Sequence, residues 1–99
     1  MRLSEVDLTY VKECCGVSDD DLDSDSLLKI ALEGGRSYIL NATGLDKWEA
    51  DKYDDLSIAL LTIVYEAFYN RNYQTEAGSS NGVNPLVKQI IEQHRRNFL

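Results

Sequence analysis

Apolar residues recur every three or four positions across one stretch of this chain, and this spacing constrains the fold more than any other feature. Between Ser26 and Ala42 the recurring positions are Leu28, Ala31, Leu32, Gly35, Tyr38, Ile39 and Ala42. A half-buried strand would instead alternate apolar and polar residues, so the spacing predicts an amphipathic helix over 26–42. Gly44 follows, and a glycine at this point commonly ends a helix in the left-handed conformation.

Two adjacent glycines, Gly34 and Gly35, lie inside this predicted helix. A phosphate-binding loop would follow a strand and open a helix, whereas helical sequence stands on both sides of this pair. The two glycines cost the helix about 2 kcal/mol relative to two alanines. Because Gly35 falls on the apolar stripe, we expect it to let another helix approach closely; a hinge or a ligand site is the alternative. The sequence gives no explanation for Gly34.

The first helix is expected to start at Ser4, with Asp7 completing a capping box, and to stop at Gly16. An acidic link over 18–25 joins it to the helix over 26–42. Composition predicts a flexible loop over 73–83.

The longest helix is expected from Asp46 or Lys47 to Asn72, with its polar first turns as a separate short piece in the alternative interpretation. It is apolar over much of its circumference, so it is either central or carries a second face for a partner. Trp48 is expected in the core, with ligand stacking as the alternative. The last helix is expected to open at Asn84-Pro85, because proline suits the first helical position.

These elements predict one all-α domain over residues 1–99, a compact bundle of about four helices with a long central helix and a flexible loop before the C-terminal helix. A chain of 99 residues has room for one modest core and little room for a deep cleft.

Seventeen acidic against ten basic residues give a formal charge of −7. This charge disfavours a duplex-DNA binder, although a local basic patch can override it. The acidic residues cluster at Asp19, Asp20, Asp21, Asp23 and Asp25, and the last segment is basic. Copies with such opposite ends can meet head to tail and close into rings. Ordinary surface charge on a monomer is an equally good interpretation.

No catalytic constellation emerges from the sequence, so we predict that the protein is not an enzyme. The single histidine, His94, is expected on a surface or at an interface, and nothing in the sequence pairs it with Cys14 or Cys15. The acidic link lacks the mid-loop glycine and the final glutamate of a calcium loop. One histidine and two vicinal cysteines do not supply a zinc site. No cofactor and no metal are expected.

The two adjacent cysteines are expected to be reduced thiols, because neighbouring residues rarely form a disulfide. The N-terminal sequence has no apolar core of signal-peptide length, and no apolar run reaches the length of a membrane span. We therefore expect a cytoplasmic protein without a membrane partner.

The order of elements resembles the small α-helical head-tail connector proteins of tailed phages and prophages, also called adaptor, head-completion or DNA-packaging proteins. The resemblance covers nearly the whole chain. The segments that carry it, in order, are "VKECCGV", "SDDDLDSDSLL", "LLKIALEGGRSYILNATGL", "IALLTIVYEAFYNRN" and "LVKQIIEQHRRNF". The chain departs from the family pattern at the glycine pair, where alanines are usual, and at the two cysteines.

The resemblance implies a structural role in virion assembly. Family members form a homo-oligomeric ring under the portal, which extends the DNA channel and docks the tail or a stopper protein. The expected partners are therefore other copies in a dodecamer-like ring, the portal protein and a tail or stopper protein. DNA would pass through the channel without sequence-specific binding. Assembly would take place in the host bacterial cytoplasm, and the mature location would be the head-tail interface of the virion.

The resemblance also implies roles for individual residues. The residues expected to face the portal or a neighbouring subunit are Ile91, Arg95, Arg96, Phe98 and Leu99. The motif that ends the long helix and anchors the following loop is expected to comprise Tyr69, Asn70 and Arg71. The candidates for an acidic channel wall, which would repel the DNA backbone, are Asp19, Asp20, Asp21 and Asp23. The alternative function is a small cytoplasmic helical regulatory or protein-binding domain, associated with nucleic acid through its basic last helix.

Overall fold

A computed structural model describes residues 1–70 and 84–95 of the chain, and every regular element within these ranges is helical. A 3-10 turn, η1, spans Leu3–Glu5. The α-helices of the described ranges are α1 (Leu8–Cys14), α2 (Asp25–Thr43), α3 (Lys47–Ala50), α4 (Asp55–Tyr69) and α5 (Pro85–His94). The predicted all-α class is confirmed, whereas the loop expected over 73–83 lies outside the described residues. None of the described helices combines the length and the hydropathy that a bilayer crossing requires.

The first α-helix begins at Leu8, so the predicted start at Ser4 is wrong. Asp7 is the N-cap, and its Oδ1 accepts a hydrogen bond from the backbone N–H of Tyr10 at 2.9 Å. Ser4 instead donates its hydroxyl to Oδ2 of Asp51 at 2.6 Å and its backbone N–H to Oδ1 at 3.0 Å. The serine therefore ties the N-terminal turn to the segment that follows α3, a contact 47 residues away along the chain.

The end of α1 confirms the predicted stop. Gly16 has a φ of 74°, in the left-handed region, and its N–H donates to the carbonyl of Glu13 at 3.2 Å. The N–H of Val17 donates to the carbonyl of Lys12 at 2.8 Å. These two hydrogen bonds form a Schellman motif.

An ion pair closes the acidic link between α1 and α2. Lys12 is only 4 % exposed, and its Nζ lies 2.8 Å from Oδ1 of Asp25. The same ammonium group donates to the backbone carbonyl of Asp19 at 3.2 Å. The last turn of α1 is thereby joined to the first turn of α2.

Helix α2 matches its predicted limits within one residue at each end. Gly44 ends it with a φ of 75°, and the glycine N–H donates to the carbonyl of Leu40 at 2.9 Å. Leu45, directly after the stop, is buried. At 19 residues α2 is longer than α4, which has 15, so the expectation that the third helix would be the longest is wrong.

The predicted long helix is divided, as the alternative interpretation had it. Asp46 and Glu49 form a capping box that opens α3, and α3 ends at Ala50. The N-terminal segment holds the turn that follows α3, because Asp51 accepts two hydrogen bonds from Ser4. Helix α4 then ends at Tyr69 rather than Asn72, with the N–H of Asn70 donating to the carbonyl of Glu66 at 2.9 Å.

Helix α4 is the centre of the bundle, since it contacts α2, α5, α1 and η1. Its core face carries Leu56, Ala59, Leu60 and Val64, all fully buried. One continuous core joins the elements. Its other buried apolar members are Leu3, Val6, Val11, Leu28, Leu32, Ile39, Leu45, Ala50, Val87, Ile90 and Ile91.

Gly35 lies in the contact between α2 and α4. A Cβ added to Gly35 would lie 2.9 Å from Cδ1 of Leu60 and 3.2 Å from Cγ2 of Ile63. A Cβ added to Gly34 would meet no atom of the described residues within 4 Å. The two glycines therefore differ: Gly35 allows the helix contact, and Gly34 has no such neighbour in the part of the chain that the structure describes.

Helix α5 begins as predicted, with Pro85 in the first turn and Asn84 as the N-cap. The Asn84 Oδ1 accepts from the N–H of Leu86 at 2.7 Å, and its Nδ2 donates to Oε2 of Glu66 at 2.6 Å. The cap therefore also joins α5 to α4. Leu86, in the first turn of α5, is 48 % exposed.

We predict opposite effects for alanine at the two glycines. Gly34→Ala should raise the free energy of unfolding by up to about 1 kcal/mol, because alanine favours the helix and its methyl group meets open space. The free energy of unfolding of Gly35→Ala should be lower than that of Gly34→Ala by about 1–3 kcal/mol, because the added methyl group overpacks the contact with Leu60. Urea unfolding of the two variants measures the difference, and equal stabilities would show that α2 and α4 separate at no cost.

We also predict that the Ser4–Asp51 contact depends on pH. Hydrogen bonding by Ser4 holds the pKa of the Asp51 carboxyl below its ordinary value of 3.8. Its contribution to stability is therefore fully present above about pH 3.8 and is lost as the pH falls through the folded-state pKa. Ser4→Ala should lower the free energy of unfolding by about 1 kcal/mol at pH 7. This loss should become smaller in acid, because the protonated Asp51 accepts the hydrogen bonds less strongly. Denaturant unfolding of both proteins between pH 7 and pH 2.5 tests this, and a cost that does not change with pH would contradict it.

Candidate interaction surfaces

The end of α5 is fixed to the start of α4 by a single histidine. The ring of His94 stacks on Tyr53, with centroids 4.2 Å apart and planes at 28°. Its Nε2 lies 2.8 Å from Oδ1 and 2.9 Å from Oδ2 of Asp55. His94 was expected on a surface or at an interface, whereas the structure places it in a half-buried contact within the chain. This contact fixes the C-terminal end of α5.

The predicted portal-facing residues divide into buried, exposed and undescribed ones. Ile91 is 6 % exposed and belongs to the core. The side chain of Arg95 is 61 % exposed, and its nearest described acidic partner is Glu92, whose Oε2 lies 3.6 Å from Nη1. Arg96, Phe98 and Leu99 lie outside the described residues. Arg95 is the first residue of the basic C-terminal segment, and the role of this segment stays a prediction.

The acidic link presents its carboxylates to solvent. Asp19, Asp20, Asp21 and Asp23 are all exposed. Short-range hydrogen bonds shape the link, since Oδ1 of Asp21 accepts from the N–H of Asp23 at 3.0 Å. Among the residues that the structure describes, no group of three or more acidic, histidine or cysteine side chains is placed to hold a metal ion. The arrangement suits electrostatic repulsion of an anion, which is what a channel wall requires.

The motif at the end of the long helix is exposed where it is described. Tyr69 is 62 % exposed and stacks on Tyr65, with ring centroids 5.4 Å apart. Asn70 is exposed and follows the last helical residue. Arg71 lies outside the described residues, so the expected anchoring of the following loop stays a prediction.

Trp48 lies on the surface, so its predicted place in the core is wrong. It is 74 % exposed, and the Nζ of Lys47 lies 6.0 Å from its ring centroid. The reason is the short α3, in which Ala50 rather than Trp48 turns to the core.

The two cysteines are free thiols, with Cys14 exposed and Cys15 half-buried. Burial, and secondarily the neighbouring Cys14, raises the pKa of Cys15. A thiol with a raised pKa is less ionised at neutral pH and less nucleophilic, so the geometry gives no support to a catalytic cysteine.

An apolar groove of about 340 Å³ opens between α2, α4 and α5. Most of its lining residues are apolar or glycine, and two are polar: Ala31, Gly34, Gly35, Tyr38, Ile63, Ala67 and Val87, with Glu66 and Asn84. The sequence analysis did not identify this groove. The available signal was Gly34, a helical glycine that the sequence did not explain.

The comparisons with known proteins agree with the resemblance noted in the sequence. The family model described as phage gp6-like head-tail connector protein matches residues 5–95. No curated protein and no solved structure matches the chain significantly.

We predict that His94 and Asp55 stabilise the bundle as a pair. His94→Ala should lower the free energy of unfolding by about 1–2 kcal/mol, because it removes a hydrogen bond to Asp55 and a ring contact with Tyr53. Asp55→Asn should lower the free energy of unfolding by less in the His94→Ala variant than in the wild type, because the partner of Asp55 is already missing there. A double-mutant cycle by urea unfolding measures the coupling, and strictly additive costs would contradict the pairing.

Proposed function

The chain belongs to the phage gp6-like head-tail connector family, and on that premise we propose that it forms a homo-oligomeric ring beneath the portal. The ring extends the DNA channel and gives the tail or a stopper protein a surface for docking. The ring assembles in the host cytoplasm, at the capsid vertex, after the genome is packaged.

Family membership makes the protein a structural connector of the virion rather than a member of an enzyme family. Connector proteins lie at the head-tail interface, in contact with portal and tail proteins. The match over residues 5–95 is the observation that carries this assignment, because it spans all the described helices from α1 to α5.

The position of the basic C-terminal segment supports contact with the portal. Helix α5 ends at His94, which is held against Asp55 and Tyr53. Arg95 follows directly and is exposed. The segment from Arg95 to Leu99 therefore starts from a fixed point on the bundle, and it carries two arginines and two large apolar residues for a partner surface.

The acidic link supports a non-adhesive channel. Four exposed aspartates within five residues concentrate negative charge, and a phosphate backbone is repelled by such a surface. In the ring, the link lines the passage and lets the genome slide without sequence-specific binding.

We predict that a chain truncated after His94 folds but does not function as a connector. The truncation leaves the core and the His94 contact intact, so the free energy of unfolding should change by less than about 0.5 kcal/mol, as for surface changes. Capsids assembled with the truncated chain should lose the connector or leak DNA, which mass spectrometry of purified capsids and nuclease protection measure.

A matched control is Lys88→Gln, which removes an exposed positive charge from α5 but leaves the tail complete. We expect its capsids to retain the connector and the DNA. Unfolding of the truncated chain would show that residues 95–99 belong to the core, and normal capsids would exclude the tail as the portal contact.

A further inference from the structure

Lys12 is buried, although a lysine side chain normally keeps its ammonium group in water. It is only 4 % exposed. The ammonium group has two partners, because Nζ lies 2.8 Å from Oδ1 of Asp25 and donates to the backbone carbonyl of Asp19 at 3.2 Å. A buried ammonium group without such partners would be strongly unfavourable. The two partners lie near opposite ends of the acidic link, so one buried positive charge contacts both.

The backbone hydrogen bonds within the acidic link are of short range. The N–H of Asp21 donates to the carbonyl of Ser18 at 3.0 Å, and the N–H of Asp25 donates to the carbonyl of Leu22 at 3.3 Å. They form two successive four-residue turns. Because donor and acceptor both lie in the link, these bonds shape the turns but do not attach them to another helix. Lys12, which belongs to α1, supplies a polar attachment from outside the link.

The acidic link is folded despite a high density of like charge. Five aspartates stand within the seven residues 19–25. A charged segment repels itself and tends to extend, yet this segment turns twice. A positive charge placed against the backbone of the link offsets this repulsion, and the ammonium group of Lys12 is in that position.

We propose that Lys12 is a positioning residue for the acidic link. Its buried ammonium group is an internal positive charge that keeps the two turns closed over the junction of α1 and α2. The backbone carbonyl of Asp19 faces this ammonium group, while the Asp19 side chain is exposed. The closed link thereby presents its exposed carboxylates in a fixed arrangement. The consequence for DNA rests on the proposed channel wall, whereas the positioning is a property of the chain itself.

The burial of Lys12 predicts a specific response to salt. The Debye length falls from about 30 Å in 0.01 M salt to about 3 Å in 1 M salt, and buried pairs are screened much less than exposed charges. The wild-type link should therefore stay closed in both solutions. A link that lacks the positive charge should open in the low salt, where its carboxylates repel one another, and should become more ordered in the high salt.

A double variant, Lys12→Met with Asp25→Leu, removes the ion pair without leaving an unpaired buried charge. It also keeps the net charge at −7, because one positive and one negative charge are lost together. Backbone ¹⁵N relaxation measures the order parameters of residues 19–23. We expect about 0.85 in the wild type at both salt concentrations, and less than about 0.6 in the double variant in the low salt. The high salt should restore at least half of this loss.

Lys12→Gln is a second variant, which keeps a hydrogen-bond donor for Asp25 but carries no charge, and its link should respond in the same direction. Lys29→Gln is the matched control, since it removes one positive charge from an exposed position on the neighbouring helix α2. Its order parameters should equal those of the wild type. Circular dichroism melts verify that each variant is folded.

Neutralising the link provides an independent arm. Asp20→Asn, Asp21→Asn and Asp23→Asn, added together to the double variant, remove three exposed charges and keep an oxygen acceptor at each position. These substitutions should raise the order parameters in the low salt, because less repulsion remains.

Several outcomes would overturn the proposal. One is a double variant whose link is as ordered as the wild-type link in the low salt, and another is a disorder that neither salt nor the asparagine substitutions reduce. An equal effect of Lys29→Gln would show that any nearby lysine suffices. Unfolding of both Lys12 variants would show that this residue serves the core rather than the link.

The proposed function has a separate readout. If the link stays ordered in every variant and the wild-type protein is found in DNA-retaining virions, the connector role stands and only the role of Lys12 is wrong. If the wild-type protein is missing from virions, the connector role itself fails, and the salt response of the link still decides the role of Lys12.

Discussion

The fold depends on one close contact, the approach of α2 to α4 at Gly35. The missing side chain lets Leu60 and Ile63 press against the α2 backbone, and the core residues of both helices interdigitate around that point. A chain of 99 residues buries a limited area, so the approach of its two longest described helices decides how much core is available. The helical cost of the glycine is offset by the packing that it permits.

Polar contacts add to the apolar core in attaching the smaller elements to this pair. The guanidinium group of Arg36 on α2 donates to the carbonyls of Leu3 and Val6, Lys12 pairs with Asp25, and His94 reaches an acidic residue of α4. Each contact fixes the position of a segment whose apolar side chains also enter the core.

The exposed surfaces of the described residues differ in chemistry. Carboxylates crowd the link before α2, Arg95 follows the fixed end of α5, and apolar side chains are exposed on α2 and α4. In the proposed ring, these surfaces would serve separate partners. The family assignment and these surfaces support the same structural role.

The sequence by itself determined the helical class, the limits of α2 and the glycine stops, because local spacing and left-handed glycine conformations act within a few residues. It also carried the family resemblance. Only the tertiary structure decided that Ser4 binds Asp51 instead of capping a helix, that Trp48 is exposed, and that Gly34 borders a groove. These outcomes depend on residues far apart along the chain, and no local pattern records which distant side chain will compete for a hydrogen bond or cover a ring.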